Sequence, residues 1–228
     1  MKKSILSSVI FFCSFIALGQ DMSYNQPWLS VVPGERSLAF GIPQRSVFSD
    51  VEGTPFANET FLDGTLYGLE NDKLNGRFRY NAYTNEIEKD SESGPVALLR
   101  RDYYRITIGN DLYLIETFLD KGKIRRSYFV EKNKGRVRLL KKVSKEKSKV
   151  VFPGSSYRPE RAARFRDDIS YYLKVGSDPA VELDFKKKDL IKALADRQKE
   201  VQAFIKDNAL RIRTEDDVLQ VLTYYNSL

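Results

Sequence analysis

The sequence predicts an α+β fold: an antiparallel β-meander, either a sandwich or a partial barrel, with two to three C-terminal helices covering it. Three observations predict it. Short runs of β-branched and aromatic residues recur from about residue 59 to 185, separated by Gly, Asn and Asp turns. From residue 186 the apolar period lengthens from that of a strand to that of a helix. Half of the eight prolines stand before residue 58, which confines irregular backbone to the N-terminal part. The expected organisation is a signal peptide over residues 1–19, an irregular Pro-rich arm over 20–58, an antiparallel β domain over 59–185, and a helical segment packed on it over 186–228.

Lys2 and Lys3, an apolar stretch over residues 5–16, and Ala17-Leu18-Gly19 before Gln20 have the three parts of a secretory leader. The apolar stretch is shorter than the roughly 20 residues of a membrane span; an uncleaved anchor is the alternative reading. Cys13 follows Phe11-Phe12 rather than a small residue, so it reads as an apolar leader residue and not as a lipid-attachment site. The arm carries Pro27, Pro33, Pro43 and Pro55, with Gly34, Gly41 and Gly53 between them. One short strand is expected near residues 46–50, and Trp28 is expected to anchor the arm.

In the β region, residues 65–70 read as a strand and 71–76 as its turn. Residues 77–83 alternate, with Phe78, Tyr80 and Ala82 on one face and Arg77, Arg79, Asn81 and Tyr83 on the other, the pattern of a half-buried strand. Thr84-Asn85 is a two-residue turn into 86–89. Strands at 96–100 and 104–108 follow, and Gly109-Asn110 turns the chain into 112–119. That stretch is apolar on both faces except for Glu116 and Thr117, so it should be central and covered. Turns at 120–123 and 133–135 bracket a strand at 124–131 and lead to one at 136–143. Residues 148–168 read as a Pro/Gly/Arg loop, and 169–175 with 180–184 as a last hairpin.

Helices are expected at 186–194 and 197–208, with Leu190, Ile191, Leu194, Val201, Phe204 and Ile205 as their apolar stripe. Asp184 and Asp196 are candidate N-caps, and Asn208 is a stop. Thr214 opens a third helix with Glu215, Asp216 and Asp217 in its first turn and Val218, Val221, Leu222 and Tyr225 on its buried face.

Two stretches carry a family resemblance. Residues 75–88, with Arg79-Tyr80-Asn81 at their centre, resemble an Arg-Tyr-Asn β-module of uncharacterised exported envelope proteins of the Bacteroidetes type. The ending from Lys188 through Lys206 and from Glu215 to Asn226 resembles a short helical ending of the same group. The resemblance implies a Gram-negative envelope setting, periplasmic or outer-membrane-associated. It transfers no catalytic residue.

Composition narrows the chemistry. The chain has no His and one Cys, and that Cys lies in the leader. His-based acid/base catalysis, Ser-His-Asp and Cys-His nucleophiles, and sites built on His or Cys ligands therefore lack their residues. No cofactor, metal site or catalytic residue is expected. Carboxylate-only catalysis survives as an alternative, with Glu86/Glu88 and Asp216/Asp217 as the close pairs; Asp216/Asp217 is better explained as the first turn of a helix.

Charge is strongly segregated. The chain holds 38 Lys+Arg against 31 Asp+Glu, yet residues 121–166 alone carry a net +14, and the rest of the chain after the leader a net −9. Lys141, Lys142 and Lys145 fall in one cluster, and Arg158, Arg161, Arg164 and Arg166, with Tyr157, in another. These residues are the candidate anion- or partner-binding set, since Arg offers a planar fork to phosphate and carboxylate. Two readings stand: the acidic helices neutralise the basic strands within one molecule, or part of the basic segment faces a partner. The expected function is that of a non-enzymatic exported envelope protein. Its partner is an envelope protein or an anionic lipid or lipopolysaccharide, with peripheral membrane contact and without nucleic acid. A carboxylate-dependent hydrolase or lyase on envelope polysaccharide, and a purely structural assembly role, are the alternatives.

Overall fold

The computed structural model describes residues 40–43, 48, 51–70, 72–149 and 162–228. Within them an eleven-stranded antiparallel sheet is followed by three helices. The strands are β1 (Phe40–Pro43), β2 (Leu62–Tyr67), β3 (Lys73–Asn81), β4 (Glu86–Lys89), β5 (Val96–Leu98), β6 (Arg105–Ile108), β7 (Asp111–Asp120), β8 (Lys123–Glu131), β9 (Val137–Lys147), β10 (Phe165–Val175) and β11 (Val181–Glu182). The helices are α1 (Lys187–Ala193), α2 (Gln198–Asp207) and α3 (Glu215–Ser227). Strand order is β1-β5-β4-β3-β2-β6-β7-β8-β9-β10-β11.

The expected α+β class and antiparallel pairing are borne out, and β7 is central with apolar clusters on both its faces. On one face Tyr113 and Ile115 join Phe78, Tyr80, Ile106, Tyr128 and Val130. On the other, Phe118 joins Phe129, Leu140, Tyr172 and Ala180. The two clusters exist because the sheet coils back on itself twice. Tyr80 of β3 and Tyr128 of β8 are in edge contact, ring centroids 6.0 Å apart. In a flat sheet those strands, four steps apart, are roughly 19 Å apart. In the second coil, Ala180 donates to the Thr117 carbonyl at 2.8 Å and accepts from the Leu119 N–H at 2.9 Å, returning the chain from β10 to the edge of β7.

The helices pack on one end of this sheet. Leu190, Leu194, Val201, Ile205, Val218 and Leu222 form one cluster with Val137 and Leu139 of β9 and Leu173 of β10. The expected helical stripe is therefore the buried one, with Phe204 at its margin. Thr214 caps α3 as expected: its Oγ1 accepts from the Asp217 N–H at 3.1 Å, and Asp217 Oδ2 accepts from the Thr214 N–H at 3.3 Å.

Several local expectations are corrected. β3 starts at Lys73, so Asn75 and Gly76 belong to the strand and not to the turn before it; Gly64 lets the pair approach β6, because a Cβ there would sit 1.9 Å from the Thr107 carbonyl oxygen. The arm contributes β1, paired with β5; the strand expected near 46–50 falls on residues of which only Phe48 is described, and the leader and Trp28 lie outside the described residues. The C-terminal end of the expected 148–168 loop is strand: β10 starts at Phe165 and pairs along its whole length with β9, which runs to Lys147. Residues 150–161 lie outside the described residues. Asp184 and Asp196 are not N-caps. The N-cap of α1 is Lys186, without a side-chain cap, and Asp184 pairs with its ammonium at 2.5 Å. Asp196 sits inside a 3-10 turn and accepts from the Tyr225 hydroxyl at 2.8 Å. Among the described residues no helix is long and apolar enough to cross a membrane.

Candidate functional site

β8 and β9 are laddered only where Val130 faces Lys141 and Glu131 faces Leu140. Beyond that point they diverge, because β9 stays with β10 along its whole length while β8 stays with β7. The β3–β4 turn wedges into the gap. On the β9 side the Lys145 N–H donates to the Ala82 carbonyl at 3.1 Å. On the β8 side Asn85 Oδ1 accepts from the Tyr128 N–H at 3.1 Å, from Ser127 Oγ at 3.1 Å, and from Tyr80 Oη at 3.0 Å.

Local sequence explains the wedge. Asn81 Oδ1 accepts from the backbone N–H groups of Tyr83 and Thr84, which folds the chain into an Asx turn. Asn85 then takes a left-handed conformation, φ 59°, which Asn tolerates better than branched residues. Behind the turn, Arg79 holds the buried Glu88 carboxylate at 2.7 Å, and its guanidinium lies flat on Phe56, 3.5 Å from the ring centroid. The Arg79-Tyr80-Asn81 sequence is thus the frame of the wedge.

Over the wedge opens a cavity of about 240 Å³. Arg125, Arg126 and Ser127 of β8 line one side, Lys142, Ser144 and Lys145 of β9 the other, with Phe118 and Tyr83 as apolar walls. Tyr83 is braced by Phe48 and Phe165, all three ring pairs at 5.3 Å. Three of the four cations have acidic partners: Arg125 with Asp120 at 2.8 Å, Arg126 with Asp102, and Lys145 with Asp167 at 2.5 Å. Lys142 forms no ion pair among the described residues; its ammonium stands 5.1 Å from the Phe118 ring centroid. The cleft therefore carries three cations paired to acids, one of which, Asp120, also lines it, and one half-buried cation, Lys142, beside the Phe118 ring.

Of the residues singled out in the sequence, Lys142 and Lys145 reach this cleft. Lys141 does not; it stands opposite Val130 of β8 and Tyr171 of β10. Arg166 stands opposite Glu146 on the outer part of the β9–β10 pair, and Arg164 bridges to Glu52; neither lines the cleft. Arg158, Arg161 and Tyr157 lie outside the described residues. The sequence reading missed Arg125, Arg126, Tyr83 and Asn85. The Arg125-Arg126 doublet within an otherwise half-apolar strand was the available signal for two of them.

The carboxylate pairs are engaged elsewhere. Glu88 is buried against Arg79 and accepts from Asn81 Nδ2 at 3.4 Å, and Asp217 is spent in the α3 cap. A further carboxylate network lies in the cluster under β7: Arg138 bridges Glu116 at 2.5 Å and Glu131 at 2.7 Å, and Lys174 reaches Glu116 at 3.1 Å. Burial by itself raises the Glu116 carboxyl, but the hydrogen bonds from Arg138 and Lys174 outweigh it and hold the group below the usual carboxylate range.

No family model matches the chain, and neither the curated proteins nor the solved structures contain a match.

Proposed function

We propose that this chain is an exported, non-enzymatic envelope protein that holds a phosphate or carboxylate group of an anionic envelope component in the cleft between β8 and β9. Lys142 carries the reading: a half-buried ammonium with no carboxylate partner among the described residues, in a cavity whose walls hold three further cations. The cavity suits one anionic group rather than an extended chain. An oxyanion accepts from such an ammonium, while the Ser127 and Ser144 hydroxyls beside it are donated to Asn85 and Asp168 and hold the walls in place. The two coils of the sheet fit a partial barrel with the helices as cover at its far end, and the cleft is then the seam at which the barrel fails to close.

The test is titration calorimetry with lipopolysaccharide and with the same material after dephosphorylation, at low and at high salt. The intact ligand is expected to bind more tightly, with the difference shrinking in salt. Lys142→Ala should weaken binding about tenfold or more, the worth of one charge-assisted hydrogen bond. Equal affinity for both preparations removes phosphate as the bound group, and an unchanged Lys142→Ala variant overturns the reading.

A further inference from the structure

The hairpin that supplies Arg125 and Arg126 to the cleft also ends in an exposed apolar tip. β6 accompanies β7 only from Asp111 to Leu114, and β9 accompanies β8 only at Val130 and Glu131. Among the described residues the outer half of the hairpin, through Lys121-Gly122, is therefore laddered to no strand outside the hairpin, and only Ala180 bridges to β7. A Cβ added at Gly122 meets nothing within 4 Å, and residues 121–126 are all exposed. Leu119 and Ile124 are cross-strand partners at this tip, 39% and 64% exposed. Val181, 52% exposed, follows Ala180 and extends the same apolar strip beside Leu119. Lys121, Lys123, Arg125 and Arg126 flank the strip; Arg125 pairs with Asp120 and Arg126 with Asp102, and Glu182 follows Val181.

An aliphatic tip flanked by Lys and Arg has the composition of an interfacial membrane anchor. The aliphatics enter the boundary of the acyl chains while the cations stay at the level of anionic headgroups. We propose that the β7–β8 hairpin docks on an anionic lipid surface through Leu119, Ile124 and Val181, so that the group held in the neighbouring cleft is a lipid headgroup and not a free anion. This rests on the reading of the cleft only in naming the source of its anion; the docking surface stands on its own exposure and charge.

The experiment attaches an environment-sensitive dye to Ile124→Cys in a Cys13→Ser background and adds vesicles of phosphatidylcholine, with and without phosphatidylglycerol. The expected result is a blue shift with the anionic vesicles alone. Leu119→Ser/Ile124→Ser, which keeps every cation, should lower sedimentation with those vesicles by about a hundredfold, roughly tenfold for each aliphatic side chain. The same variant should leave binding of inorganic pyrophosphate unchanged. A tip that stays solvated while the protein still sediments with anionic vesicles overturns the anchor and leaves the cleft reading intact. A tip that inserts in a protein that binds no pyrophosphate, with Lys142→Ala sedimenting normally, sustains the anchor and removes the cleft reading.

Discussion

Asn85 concentrates three donors on one oxygen while holding a backbone conformation that disfavours side chains, so its two duties can be separated by substitution. Asn85→Ala loses the acceptor, strands the Tyr128 N–H, and keeps a Cβ in left-handed space; a loss of about 2–4 kcal/mol is expected. Asn85→Gly relieves the backbone and should recover about 1 kcal/mol of that. Urea unfolding measures both. Equal losses for the two variants show that backbone strain is immaterial, and no loss in either removes Asn85 as the pin of the wedge. At this scale the sequence was legible for faces and not for roles. The alternation of Phe78, Tyr80 and Ala82 follows from a period of two and is found buried as read. The partner of Asn85 is 43 residues away on β8, and nothing local to either residue announces it.

Elements meet through a few long-range anchors of the same kind, of which the junction of α3 with β9 is the sharpest. Asn226 Oδ1 accepts from the Val137 N–H at 2.9 Å, and its Nδ2 donates to the Val137 carbonyl at 2.8 Å. Gly135, at φ 130°, makes room for it: a Cβ there would lie 2.5 Å from Asn226 Cγ. Gly135→Ala should therefore expel the Asn226 side chain and cost about 2–4 kcal/mol, from backbone strain and two lost hydrogen bonds. Asn226→Ala removes the same bonds, so the double variant should lose clearly less than the sum of the two single losses. Strict additivity in thermal or urea unfolding would break the link between the two residues. The helices themselves were readable, since a 3.6 period and the Thr214 cap are local signals. The coil closures were not: Lys145 on Ala82 and Ala180 on β7 are backbone pairings between distant segments and leave no mark on side-chain pattern. Likewise the extra length of β9 and β10 was hidden, because Ser144, Lys145 and Glu146 face Asp168, Asp167 and Arg166 in a run of polar residues with little apolar pattern.

Across the whole molecule, part of the basic segment meets acids from the remainder of the chain. Arg125, Arg126, Lys132, Arg136, Arg138 and Lys145 all pair with acids from outside residues 121–166, including Glu215 and Asp196 of the helical segment. The pairs of Arg125, Arg126 and Arg136 are exposed and contribute little. The Glu116–Arg138–Glu131–Lys174 network differs, because it lies between strands β7, β8, β9 and β10 with Lys174 only 4% exposed. Its consequence for acid stability has a definite sign. The folded-state carboxyl of Glu116 is held below its ordinary value, so folding favours the ionised form. The stabilisation is fully present above the unfolded value of about 4.3 and is lost as pH falls through the lowered folded value. Asp196 and Asp217 are shifted the same way, Asp196 chiefly by the Tyr225 hydroxyl and Asp217 by the Arg213 N–H, but both sit at the surface. Glu116→Gln should therefore be less stable than the parent at pH 7, where Arg138 and Lys174 lose a charged partner, and should close that gap as the pH approaches 2. The slope of unfolding free energy against pH in the acid limb should flatten by up to about one proton. Urea midpoints at pH steps from 7 to 2 read this directly. Parallel curves for parent and variant would mean that Glu116 titrates alike in both states, and that the network positions strands without coupling to their ionisation.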